Sequence, residues 1–302
     1  MTDHSEPWLQ ISLDVNTDQV ETADEVLMAL GALSVTYTDC EDEPILEPGV
    51  GETPLWPRVR VTGLFDSDVD EKTMVEAVSQ GAGTIALGPV TGIRVEDRNW
   101  QEDALADLEP MRFGQRLWVV PCSMEAPERA ERVVRLDPGL AFGSGTHATT
   151  ALCLEWLDRQ RLDGRTVLDF GCGSGILAIA ALVLGAAHAT GVDNDPQALT
   201  ASANNAERNG VSGRLALWLP DDVPAGPFDM VVANILAGTL KALAPRLASA
   251  VRTGGLLAIS GLMDGQADET AACYEPWFED LAASSRDGWV LVEGRRNGEP
   301  LE

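Results

Sequence analysis

Three short stretches carry the residue types best suited to chemistry. In Val167–Gly175, "VLDFGCGSG", Gly171, Gly173 and Gly175 allow a tight turn and close approach of the backbone to a ligand. Their spacing is G-x-G-x-G, and Ile176 stands where a dinucleotide fingerprint needs its third glycine. Asp169 precedes the first glycine by two residues. A carboxylate there repels a pyrophosphate but accepts hydrogen bonds from a cationic amino acid, such as the methionine end of S-adenosylmethionine. Asp193 follows Gly171 by 22 residues, the separation at which an acidic side chain grips ribose hydroxyls. S-adenosylmethionine and NAD both carry such hydroxyls. A second role for Asp193, capping the helix begun by "NDPQAL", can coexist with the first. In "DMVVANILAG", Asn234 falls where a strand ends, either aiming a carboxamide into a cleft or capping the next helix. Many amide and base methyltransferases carry Asn-Pro-Pro-aromatic at such a strand end. Asn234-Ile235-Leu236 lacks those prolines, which argues against glutamine or adenine-N6 methylation.

A fourth stretch, "LDPGLAFGSGTHATT" (Leu136–Thr150), has the glycines of a phosphate loop but no lysine after them. It holds Phe142 and His147 instead. An aromatic face suits a sulfonium cation better than a lysine would. The bland readings are core packing for Phe142 and helix capping for His147.

The elements that must position these residues follow from periodicity. From Arg165 onward, the strands "TVLDF", "HATGVD", "LALWL", "DMVVAN" and "GLLAIS" alternate with apolar helices, and "GWVLVEG" closes the chain. That order predicts a mostly parallel, doubly wound α/β sheet with ligands at the carboxyl ends of its strands. Residues 1–97 differ. "LQISLDV", a helix from Val20, "LSVTYT", "RVRVTGLF", a helix over Val69–Ser79 and "VTGIRVE" give a βαβ–βαβ order. A ferredoxin-like α+β domain is expected there, acting in recognition since it lacks a catalytic motif. Residues 98–135 read as a connector with a helix in "NWQEDALADLEP", a turn at Pro110 and the strand "RLWVV"; the catalytic domain is expected over 136–302.

Composition narrows the partners. The 302 residues are 45% hydrophobic, with no apolar run long enough to span a membrane and no signal-peptide pattern, so a cytoplasmic protein is expected. Five scattered cysteines without a C-x-x-C pair argue against disulfides and zinc, and suggest buried free thiols; no metal is expected. The net charge is −27, with only two lysines, Lys72 and Lys241. Such a chain repels nucleic acid and anionic membranes and attracts basic partners, although a saline habitat also favours acid-rich, lysine-poor surfaces. Residues 1–100 hold 20 Asp or Glu against 5 Lys or Arg, more than their share.

Taken in order, "LDPGLAFGSGTHATTALCLEWL", "VLDFGCGSGILAIAALVLGA", "GVDNDPQAL", "NNAERNGV" and "VVANILAGTL" resemble the PrmA family of ribosomal protein methyltransferases. "WLQISLDV", "ETPLW" and "GLF" extend the resemblance over nearly the whole chain. The Gly-Phe-Gly-x-Gly-x-His-x-Thr-Thr loop is far more specific than the glycine fingerprint. Two departures stand out: Gly143-Ser144-Gly145 where relatives write Gly-Thr-Gly, and Ala104 where they tend to have a second Trp. The resemblance implies a Rossmann-like class I methyltransferase domain that uses S-adenosylmethionine, with Thr150, Gly171, Asp193 and Asn234 contacting it and the Phe142 loop folding over it. Its implied substrate is large-subunit ribosomal protein eleven, trimethylated at its α-amine and at lysine ε-amines. The enzyme is expected to act as a monomer, without direct contact to nucleic acid. Attack by an amine requires loss of its proton, because lysine is charged near neutral pH. Asn234 is expected to orient the amine and His147 to accept the proton. A small-molecule methyltransferase would share the fingerprint without needing the acidic first hundred residues. A non-catalytic S-adenosylmethionine-binding assembly factor also fits, whereas Asp169 and Ile176 disfavour a dehydrogenase.

Overall fold

Alternation of apolar residues in β1 (Trp8–Asn16) buries Leu9, Ile11, Leu13 and Val15 on one face of a sheet. A computed structural model describes residues 7–41, 54–96, 109–136, 147–224 and 226–300. The chain divides into two compact units, 1–100 and 101–302. In the first, β1, β2 (Ser34–Asp39), β3 (Arg58–Phe65) and β4 (Thr91–Val95) form an antiparallel sheet in the order β2-β3-β1-β4. Helices α1 (Val20–Ala29) and α2 (Glu71–Ala82) contact each other and the sheet, and Ala23, Leu27 and Val78 complete a core with Val59, Val61 and Phe65. Asp70 starts α2 by accepting the Thr73 N–H at 2.9 Å. The opposite sheet face is polar: Ser12 bonds Thr62 at 2.8 Å, and Arg60 forks onto Asp14.

The second unit contains a seven-stranded sheet made of β8 (Thr166–Phe170), β9 (His188–Val192), β10 (Leu215–Trp218), β11 (Phe228–Asn234), β12 (Val251–Met263), β13 (Phe278–Arg286) and β14 (Trp289–Arg296). Its order is β10-β9-β8-β11-β12-β14-β13. The pairs from β10 to β12 are parallel, and β14 lies antiparallel to both neighbours. The order reverses between β8 and β11, which opens a crevice at their carboxyl ends. Helices α3 (Ala148–Arg159), α4 (Ile176–Val183), α5 (Pro196–Arg208), α6 (Ala237–Ala250) and α7 (Ala267–Ala272) accompany the sheet. α4, "ILAIAALV", is apolar all round because seven of its eight residues are buried.

Three features differ from the sequence reading. β13 is an extra strand. Only Phe278 is fully buried in it, and a register shift occurs around Asp280, so it shows no alternation. The second half of the expected connector is a three-stranded sheet, β5 (Met111–Phe113), β6 (Leu117–Val120) and β7 (Arg132–Arg135), whose Phe113, Leu117, Val119 and Val134 enter the core of the second unit. The helix expected in "NWQEDALADLEP" lies outside the described residues. Among the cysteines, Cys153 and Cys172 are buried, but Cys40, Cys122 and Cys273 are half-buried, and none of the five is in a disulfide.

Candidate active site

The glycine turn after β8 is held from both sides. Gly171 and Cys172 donate their N–H groups to the Val192 carbonyl at 2.7 and 3.0 Å. Gly171, Gly173 and Gly175 all have positive φ, between 52° and 81°. A Cβ on Gly171 would collide with Ile235 Cγ2. Two α5 residues that the sequence reading passed over support the turn: Ser202 donates to the Gly173 carbonyl and Asn205 to the Ser174 carbonyl, each at 2.9 Å. Their signal was a pair of polar residues, three apart, on the buried face of an amphipathic helix.

Asp169 lies at zero exposure in β8. Its Oδ2 accepts the Ala178 N–H at 3.0 Å, while its Oδ1 is buried without a partner among the described residues. Burial pushes its carboxyl up to about 7, against the Ala178 bond, and the nearby Asp193 charge adds to the rise. A buried, unpaired acceptor beside a strand end suits a cationic donor. Asp193, just past β9, receives the Gly173 N–H on Oδ2 at 2.8 Å and the Asp195 N–H on Oδ1 at 3.0 Å. The cap of α5 is Asp195, which accepts the Gln197 N–H at 2.8 Å. Each Asp193 oxygen keeps a lone pair for a further donor. Trp218, 38% exposed at the end of β10, accepts the Asp193 N–H on its carbonyl and adds an aromatic surface that the motifs did not indicate.

Asn234, the last residue of β11, directs Nδ2 at Thr150 Oγ1 across 3.4 Å, a long contact that brings the third and fourth sequence stretches together. Ile235 is wedged beside it. Its N–H donates to the Ser260 carbonyl at 3.1 Å, and its backbone presses on Gly261, whose φ of 90° marks a bulge in β12. A proline at 235 would have no N–H to give to the Ser260 carbonyl. His147 is the N-cap of α3, with Nδ1 bonded to Thr149 Oγ1 at 2.7 Å and 3.4 Å from the Thr149 N–H. Its ring stands edge-on to Trp289, centroids 4.7 Å apart. Phe142, with residues 137–146, lies outside the described residues. Among the described residues no cluster of metal-ligating side chains occurs, and no helix is long and apolar enough to cross a membrane.

The family model for ribosomal protein L11 methyltransferase (PrmA) matches residues 7–297. The chain belongs to the PrmA family. It is 50% identical over 297 residues to a ribosomal protein L11 methyltransferase of Pseudomonas aeruginosa, covering 97% of this chain and 100% of the relative. It is 51% identical over 291 residues to one of Pseudomonas putida, covering 96% and 99%. Among solved structures, a ribosomal protein L11 methylase from Lactobacillus delbrueckii superposes with a TM-score of 0.57 at 34% identity, over 63% of this chain and 100% of that one. As a PrmA-family protein the chain is a methyltransferase.

Proposed function

We propose that this methyltransferase transfers methyl groups from S-adenosylmethionine to the N-terminal α-amine and lysine ε-amines of ribosomal protein L11, taking each to the trimethyl state. The observation that carries this reading is the unpaired Asp169 oxygen beside the glycine turn, with Asp193 and the Asn234–Thr150 pair at the same strand ends. When bound, S-adenosylmethionine supplies a methyl group on a sulfonium. Asp169 Oδ1 takes the ammonium of its methionine part, Gly171 and Gly173 allow close backbone approach, and Asp193 holds the ribose. Trp218 offers a face for the adenine, while Thr150 and Phe142 border the methyl end.

The accepting amine must be neutral, aligned and dry. Asn234 orients it through its carboxamide oxygen, since Nδ2 faces Thr150. Desolvation lowers the pKa of the amine as it enters, so only a weak acceptor for the proton is needed. We assign that acceptor to His147 Nε2. The assignment requires Nδ1 to give up the cap bond it accepts from the Thr149 N–H and to donate a proton to Thr149 Oγ1 instead, which frees the Nε2 lone pair. The first unit is read as a ferredoxin-like substrate-recognition domain, supported by its strand order and its excess of acid. The enzyme is taken to work as a cytoplasmic monomer.

The test is transfer of tritiated methyl to purified ribosomal protein L11. Label should enter the protein with wild-type enzyme and fall sharply with Asn234→Ala. A chain that binds S-adenosylmethionine tightly but labels no L11 would instead be a small-molecule enzyme or a binding factor.

A further inference from the structure

The chain carries −27, yet a cleft in its second unit is positive. Its volume is about 720 Å³, and Arg112, Arg116, Arg159 and Arg161 line it. It lies at the far end of α3 from Thr150, roughly 15 Å away at 1.5 Å per helical residue. The β5–β6 turn forms one wall and is seated on the buried Asp158. That carboxylate accepts the Gln115 N–H at 2.6 Å and faces the Arg116 guanidinium at 3.4 Å. Gly114, at φ 69°, lets the turn close against it, because a Cβ there would strike Asp158. Asp158 is therefore committed to building the cleft. The second lining carboxylate, Glu155, pairs with Arg286 at 2.9 Å. The nearby Glu293 reaches Arg159 only at 3.6 Å. Five arginines thus face three carboxylates. Among the described residues Arg112 bonds only the Gln115 carbonyl, and Arg161 has no ion-pair or hydrogen-bond partner. Both are exposed.

We propose that this cleft binds backbone phosphates of RNA. Planar guanidinium forks match phosphate oxygens bidentately. The volume exceeds what a single phosphate fills, and Gln115 and Gln160 add neutral donors and acceptors for the sugar. The net charge of the chain does not forbid it. With a Debye length of about 8 Å at physiological salt, the groups lining a cleft set its potential more than distant carboxylates do. The biological use rests on the reading of L11 as substrate: a ribosomal protein still carrying RNA could then be held by an enzyme whose surface otherwise repels RNA. An acidic peptide is the competing occupant, since carboxylates also pair with arginine.

The experiment uses the full chain and a fluorescent single-stranded RNA of about twelve nucleotides, followed by anisotropy at several salt concentrations. Wild type is expected to bind, with affinity falling as salt rises. Arg161→Gln, which breaks no bond, should weaken binding severalfold. Arg112→Gln with Arg161→Gln should weaken it about tenfold and flatten the salt slope by about 1.4, at 0.7 per lost phosphate contact on a single strand. Methylation of free L11 should be unchanged in both variants, and thermal unfolding checks that each folds. The proposal is overturned if wild type does not bind RNA, or if both variants bind as wild type does. It is also overturned if a polyglutamate peptide binds the cleft in preference to RNA. Failure of L11 methylation with RNA binding intact would remove the substrate reading and leave the cleft.

Discussion

At the scale of single residues, the two aspartates of the site differ in kind. Asp193 is a half-buried organiser whose oxygens already receive two backbone N–H groups. Asp193→Ala should weaken S-adenosylmethionine binding by about 1.5–3 kcal/mol, the range for hydrogen bonds to a charged group. Calorimetric titration reads this, and an unchanged dissociation constant in a folded variant would remove Asp193 from the site. Asp169 is a buried carboxyl raised from 3.8 to about 7. Between those values the folded chain holds a proton that the unfolded chain has lost, so this group makes stability fall as pH rises, levelling off above about 7. Asp169→Asn removes that dependence. Relative to wild type, the variant should gain roughly 4 kcal/mol between acid and pH 8, at about 1.4 kcal/mol per pKa unit. Denaturant unfolding of both proteins across that range checks it, and a constant difference would contradict the buried, protonated carboxyl.

At the scale of elements, the site depends on how β11 meets its neighbours. Ile235 sits between Gly171 of one loop and Gly261 of the β12 bulge, and its N–H is spent on Ser260. This fixes the direction of Asn234 from behind. Ile235→Pro should therefore cost about 1–3 kcal/mol of stability, by orphaning the Ser260 carbonyl and forfeiting the bond. It should also lower kcat more than it weakens cofactor binding, because the carboxamide loses its alignment. Equal stability and kcat in the proline variant would mean that the bulge does not position Asn234. The amino ends of β8 and β11 are clamped independently: Asp229 accepts from Arg165, Thr166 and Arg252 at 2.8 to 3.1 Å. Burial alone would raise its carboxyl, but these bonds outweigh burial and hold it well below the usual range.

At the scale of the whole molecule, the two units have separate cores, one of β1, β3 and their helices and the other around the seven-stranded sheet. Removing residues 1–97 should leave a folded unit that binds S-adenosylmethionine yet no longer methylates L11. Full-rate methylation by the truncated chain would end the recognition role. The excess acid of the first unit gives a second test. If it steers a basic substrate, kcat/KM for L11 should fall as salt shortens the Debye length from about 10 Å at 0.1 M to about 3 Å at 1 M. Thermal stability should rise over the same range, because self-repulsion is screened. A kcat/KM that climbs in step with stability would assign the charge to habitat alone.

Much of this was legible in the residues themselves. A period of 2 located β1 and β3, which bury one face, while β8 and β11 read as short apolar runs because both of their faces are buried. The glycine spacing, Asp169, Asp193 and Asn234 marked the crevice because turn geometry and strand ends are local properties. What lay outside the pattern is what only packing decides. β13 is a polar edge strand with a shifted register, so nothing in "FEDLAASSR" demanded a sheet until β14 offered one. β5 has three residues, too few to show a period, and draws its order from the Asp158 seat beneath its turn. The support of the glycine turn by Ser202 and Asn205, the wedge of Ile235, and the meeting of arginines 112 and 161 across a cleft join residues 25 to 64 apart in the chain. Sequence fixes which groups exist and how each strand and helix turns its face. Contacts at that separation arise only when the sheet brings the elements together, and there the site acquires its geometry.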